Sequence, residues 1–141
     1  MKRVIVGVDG SDGSRAALRW AASEAERWRA PLVAVWAWEF SPLIVATNAP
    51  TEIEELSQAV AQRLRETLVE ELGEDGADRV EAHVVEGPPV RALLEQASAD
   101  DLIVVGSRGY GGLKGALLGS VSQQVVHYAP CPVTVVRAPG R

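Results

Sequence analysis

Leu102-Ile103-Val104-Val105-Gly106 is a short, unbroken apolar run, entered from Asp100-Asp101 and closed by a glycine. A run of this length without polar alternation suits a strand buried on both faces of a parallel sheet. Val4-Ile5-Val6-Gly7-Val8, ending at Asp9, has the same character, as does the run from Leu32 to Trp38. Between Arg79 and Val85 the pattern changes: Val80, Ala82 and Val84 alternate with Glu81 and His83, as in a strand with one solvated face. The last run, Val133 to Val136, is entered through Pro130-Cys131-Pro132, and proline at a strand entry points to the sheet's edge. Two edge strands and three interior strands are expected.

Helical stripes fill the gaps. Leu18, Ala21, Ala22 and Ala25 form one; Val90, Leu93, Leu94 and Ala97 form another at i, i+3, i+4, i+7. A longer stripe runs through Ile53, Leu56, Val60, Leu64, Leu68 and Leu72, opened by the capping-box spacing Thr51-Glu52-Ile53-Glu54 and ended by Gly73. A last helix is expected over Ser120 to Tyr128. The order βαβαβαβαβ predicts an α/β fold: a single, doubly wound, five-stranded parallel sheet with helices on both faces. Right-handed crossovers, with the third and fifth strands at the edges, leave the strand order 3-2-1-4-5. In that order the chain reverses direction between the first and fourth strands, and ligands of open α/β sheets bind beyond the carboxyl ends of such a pair. Those ends are Asp9 and Gly106.

At 141 residues, 47% hydrophobic and 23% charged, the chain has the size and composition of one globular domain, residues 1–141. A formal charge of −5 argues against a generic electrostatic grip on nucleic acid or anionic lipid. The apolar run before Asp9 is too short for a signal-peptide core or a membrane span, which makes the cytoplasm the expected location. Cys131 is the only cysteine, so neither an intramolecular disulfide nor a cysteine-based zinc site is expected; it reads as a small packing residue.

Beyond the fourth strand come Gly106-Ser107-Arg108-Gly109, nine residues, then Gly119-Ser120-Val121-Ser122 at a helix start. Glycines let backbone amides approach phosphate oxygens, and the first amides of a helix point outward along a favourable dipole. Ser120 and Ser122 add hydroxyls. Each residue also has a plainer role: Gly106 and Gly109 turn the chain, Ser120 caps the helix, and Asp9 caps the first helix in a place that Ser11 or Asp12 also suits. Arg108 and Lys114 are loop cations without a Gly-x4-Gly-Lys-Ser/Thr phosphate loop to place them. His83 and His127 lack a nucleophile or a metal-ligand spacing and read as structural. Trp20, Trp28, Trp36 and Trp38 are expected to pack in the core, and Glu70, Glu71, Glu74 and Asp75 to form a solvated acidic helix end.

The spacing Gly-x2-Gly-x9-Gly-Ser after a buried strand resembles the ATP-binding signature of the universal stress protein family. The likeness extends to Ile5-Val6-Gly7-Val8-Asp9-Gly10-Ser11, to Val85-Glu86-Gly87-Pro88, and to His127-Tyr128-Ala129-Pro130-Cys131-Pro132-Val133. It implies an ATP-binding regulatory module of the stress response, with Mg2+ arriving on the nucleotide. Asp9 would stand beside ribose and adenine, the backbone of Ala37 beside adenine, and Gly106, Arg108, Gly109, Gly119, Ser120, Val121 and Ser122 around ribose and phosphates. A homodimer joined through the last strand, about Val133 to Val136, is also implied. Trp36 departs from the family, where histidine is common, and puts the local packing in question. Two other functions stay open: a slow ATPase or phosphotransfer enzyme, and a nucleotide-free dimeric interaction protein.

Overall fold

The computed structural model describes residues 1–39, 50–108 and 118–138, without the side chains of residues 50–52. Gly109 and Lys114 therefore lie outside the described residues, as does the side chain of Thr51. The described elements are β1 (Val4–Gly7), α1 (Asp12–Trp28), β2 (Leu32–Trp38), α2 (Pro50–Asp78), β3 (Val80–Glu86), α3 (Pro89–Gln96), β4 (Leu102–Gly106), α4 (Ser120–Tyr128) and β5 (Val133–Val136). The five strands form one parallel sheet in the order β3-β2-β1-β4-β5, with β3 and β5 at its edges, as the periodicity predicts.

Each inner strand is apolar throughout because successive side chains enter opposite cores. Val4, Val6 and Val8 of the first strand and its extension join Leu32, Ala34, Trp36, Leu102 and Val104 beneath α1 and α2. Ile5, Val33, Val35, Ile103 and Val105 enter the other core, closed by Ala92 and Leu93 of α3 and Val125 of α4. The helices thus cover both faces.

Helix α1 starts at an N-cap, Ser11, whose Oγ accepts the Ser14 amide, and ends at Arg29 in the left-handed conformation with φ 54°. Helix α2 begins at Pro50, ahead of the Thr51 expected to cap it. Leu64 and Leu68 are buried and Val60 packs against the same core, but Leu56 of the same stripe is exposed. Gly73 (φ 76°, ψ 169°) breaks the helix where an end was expected, and a further helical turn follows to Asp78.

Two expectations change. Trp20 and Trp28 are 37% and 55% exposed rather than core residues, because α1 turns only its alanine and leucine stripe to the sheet. Trp28 Nε1 donates to Glu24 Oε1 at 2.6 Å, one turn away on the same helix. Trp36 is buried in the core, as expected, with the Arg63 guanidinium of α2 5.9 Å from its ring centre. Of the acidic residues expected in solvent, Glu70, Glu74 and Asp75 are exposed, Glu70 with Arg15 Nη1 at 2.7 Å, but Glu71 is largely covered by α1: Arg15 Nη1 reaches it at 3.0 Å, and Arg19 also binds it.

The two central strands are tied at their entrances. Arg3, just before β1, donates from Nη2 and Nε to the two carboxylate oxygens of Asp101, just before β4, at 2.8 and 3.3 Å. Asp101, its side chain fully buried, also accepts from the Ser98 amide at 2.8 Å and hydroxyl at 3.0 Å. Burial alone would raise this carboxyl, but the donors from Arg3 and Ser98 outweigh it and hold it at about 2. Its folded value lies below its ordinary one of 3.8, so its contribution is complete above about pH 4 and is lost as pH falls toward 2. Asp101→Asn is expected to lower the unfolding free energy at neutral pH by about 2 kcal/mol. It should also flatten the fall in stability between about pH 4 and 2, as read by urea titration at each pH.

Candidate functional site

Beyond the carboxyl ends of β1 and β4 lies a cleft of about 250 Å³. Its floor and apolar wall are Gly7, Val35, Ala37, Pro89, Leu93 and Val105; its polar end is Asp9, Ser11, Ser14, Gly106, Arg108, Gly119, Ser120 and Ser122, with Val121 beside them. All the described residues expected at a ligand, namely Asp9, Ala37, Gly106, Arg108, Gly119, Ser120, Val121 and Ser122, line this one space.

The loop after β1 is shaped by side chains. Asp9 Oδ1 accepts the Ser11 amide at 2.9 Å and the Ser11 hydroxyl, an Asx turn that presents Ser11 as the cap of α1. Asp9 is therefore not the cap itself. Ser14 Oγ accepts the Asp9 amide at 3.2 Å and donates to Ser11 O at 3.1 Å. Gly10 takes φ 83°, and its carbonyl accepts Arg15 Nε at 3.0 Å. With one oxygen of Asp9 holding the turn, the other has no protein donor among the described residues.

The loop after β4 is shaped by backbone contact. A Cβ on Gly106 would lie 2.7 Å from the carbonyl carbon and oxygen of Gly13, and one on Gly13 would lie 2.5 Å from Arg108 O. Two glycines thus let the first turn of α1 rest directly on the end of β4. This gives Gly106 a packing reason for lacking a side chain, besides the approach of a ligand. The Gly13 partner went unnoticed in the sequence because it lies in a helix, outside the glycine spacing.

Helix α4 starts at Gly119, which is extended (φ −76°, ψ 172°) and supplies no side-chain cap; Ser120 is the first helical residue rather than the cap. The Gly119 amide donates to Ser107 O at 2.6 Å, and Gln123 N to Gly119 O at 3.0 Å. The amides of Ser120, Val121 and Ser122 are left without a partner among the described residues. They open onto the cleft at the positive end of the helix dipole. The Ser122 hydroxyl, expected to face a ligand, instead donates inward to Ser107 O at 2.9 Å and Gly119 O at 3.1 Å. Arg108 makes no ion pair among the described residues, so its charge adds to that of the helix ends.

Val8, Val35, Pro89, Leu93 and Val105 also line the cleft, where sequence patterns mark them as core or turn residues at most. Strand alternation carried the signal for Val35 and Val105, which share a sheet face with Ala37, whereas Pro89 and Leu93 reach the cleft only through the packing of α3. His83 lies on the edge strand 2.9 Å from Glu81, and His127 meets Tyr128 edge-on at the exposed end of α4, so neither faces the cleft. Burial pushes the Cys131 thiol up, in keeping with a packing residue. No group of three or more His, Cys, Asp or Glu among the described residues is disposed to hold a metal ion.

A five-stranded parallel sheet with helices on both faces and a cleft at its switch point defines a class of small doubly wound α/β domains. Within it the sequence is specific: the profile of the universal stress protein family matches residues 1–137, and the chain belongs to that family. A universal stress protein of Thermus aquaticus is 36% identical over 138 residues, covering 96% of this chain and 98% of that protein. The solved universal stress protein UspA of Lactobacillus plantarum superposes with a TM-score of 0.76 at 25% identity, covering 96% and 97% of the two chains. Another universal stress protein, solved in complex with cAMP, is 30% identical with a TM-score of 0.64, covering 96% of this chain and 95% of that one.

The backbone contact is open to test. In an ordinary helix interior Gly→Ala stabilises by up to about 1 kcal/mol. Gly13→Ala is expected instead to destabilise by about 1–3 kcal/mol, because the added methyl meets a carbonyl oxygen that cannot move aside. Gly7→Ala, whose methyl would meet only the tip of Leu93 at 3.2 Å, is expected to cost less than the Gly13 change in thermal melts.

Proposed function

We propose that this protein is a stress-response regulatory module that holds an adenine nucleotide, with ATP the expected ligand, between Asp9 and the α4 N-terminus. The observation that carries the reading is the division of one cleft. An apolar sleeve of Val35, Ala37, Leu93 and Val105 suits a base, and the unpaired amides of Ser120, Val121 and Ser122 suit phosphate oxygens. Asp9, with one carboxylate oxygen to offer, stands at the junction where a ribose hydroxyl would donate. Gly109 is proposed for the phosphate end on the family signature alone. The bound cAMP of the 30% identical relative is consistent with an adenine ligand for this fold. Mg2+ would come and go with the nucleotide; no residue is assigned to it.

Ser120→Pro tests the phosphate end with little risk to the fold. Proline is favoured at the first helical position, and Gly119 already has the extended conformation that a following proline requires. The change removes one amide and one hydroxyl. Loss of a hydrogen bond to a charged group, about 1.5–3 kcal/mol, should weaken ATP binding roughly tenfold or more at an unchanged melting temperature. Equal affinity of both proteins by calorimetry would sink the proposed phosphate site.

We also propose a homodimer through β5, which among the described residues pairs only with β4 and presents half-buried Val133, Val135 and Val136. An edge strand of this kind is best protected by a second copy. Val135→Lys is expected to sediment as a monomer with an unaltered circular dichroism spectrum, where the parent sediments as a dimer. A parent that is itself monomeric would refute the interface.

A further inference from the structure

Ser122 holds a place in the cleft that the sequence assigns to ligand contact, yet its hydrogen bonds run the other way. The residue is 2% exposed, and its hydroxyl donates to Ser107 O at 2.9 Å and Gly119 O at 3.1 Å. A hydroxyl has one hydrogen, and here both acceptors within reach are backbone carbonyls. Toward an anionic oxygen Ser122 Oγ can then offer only lone pairs, which repel it.

The geometry points to the Ser122 side chain as a positioning group that sets the pitch and direction of the α4 N-terminus, its hydroxyl holding the helix rather than touching phosphate. Ser107 is the hub. Its amide donates to Val136 O of β5 at 2.8 Å, and its carbonyl accepts the Gly119 amide at 2.6 Å. The same carbonyl accepts Ser122 Oγ, so one peptide unit at the end of β4 holds both the residue before α4 and the third residue of its first turn. Two attachments fix an orientation where one would leave a pivot. The unpaired amides of Ser120 and Val121, lying between the two attached residues, are thereby held toward the cleft.

This inference rests on the nucleotide reading for its effect on binding, but the latch itself is measurable without ligand. In Ser122→Ala the Gly119 amide should lose at least tenfold in hydrogen-exchange protection while amides in β1 and β4 keep theirs; unchanged protection of Gly119 would overturn the latch. ATP affinity should fall about tenfold in the same variant, and adenosine affinity, read by chemical-shift titration, should stay within twofold. Loss of both in equal measure would mean a general disturbance of the cleft, and loss of neither would mean that the amides need no latch; either refutes the positioning role. Ser122→Thr, which keeps the hydroxyl, should retain the parental ratio of ATP to adenosine affinity. If the parent binds neither ligand, the nucleotide reading fails, and the exchange result alone decides the latch.

Discussion

The first turn of α1 lies backbone against backbone on the end of β4, with Gly13 under Arg108 O and Gly106 under Gly13. No other contact determines so much of the cleft. It brings the capped start of α1 against the chain leaving β4 at Gly106 and Arg108, beside the cleft. A side chain at either glycine would lift the helix and shift Asp9, Ser11 and Ser14 relative to Arg108 and Gly119. The Arg3–Asp101 pair acts at the opposite end of the same two strands, where Leu102 N also donates to Arg3 O at 3.0 Å. Between these two anchors the register of β1 with β4 is closely constrained, Val4 facing Leu102 and Val6 facing Val104.

The cleft's chemistry follows from what this scaffold leaves unpaired. The fold satisfies its buried side-chain polar atoms, with none orphaned among the described residues. Against that background, three amides at the start of α4 and one oxygen of Asp9 stand out as donors and an acceptor facing an apolar-walled space. Helix ends also need partners, which water supplies in the free protein and an anion supplies better. The acidic surface does not contradict this, since a formal charge of −5 is spread over the chain while the helix ends and Arg108 act locally.

Much of this was legible in the residues themselves. Unbroken apolar runs mark strands that face two cores, the alternating run at Val80 to Val84 marks an edge, and the prolines before Val133 mark the other edge. Those three patterns suffice for the strand order and for the pair of strand ends at Asp9 and Gly106. Legibility fails where a residue's meaning depends on which neighbour arrives. Trp20 and Trp28 look like core residues until α1 turns its small side chains inward. Glu71 looks solvated until Arg15 and Arg19 come alongside from a helix about 50 residues earlier in the chain.

The sequence by itself determined the parallel sheet, its order and the location of the cleft, because periodicity reports which faces of a strand or helix are buried and right-handed crossovers allow few ways to connect them. It also placed the candidate residues in one region, since all lie at strand ends or helix starts. Only the tertiary structure decided what each of them does there. Ser11 rather than Asp9 caps α1, Gly106 is bare because Gly13 rests on it, and Ser122 turns its hydroxyl to Ser107. Hydrogen-bond direction and close approach depend on distances of a few tenths of an ångström between segments far apart in the chain, and a one-dimensional pattern carries no such distances.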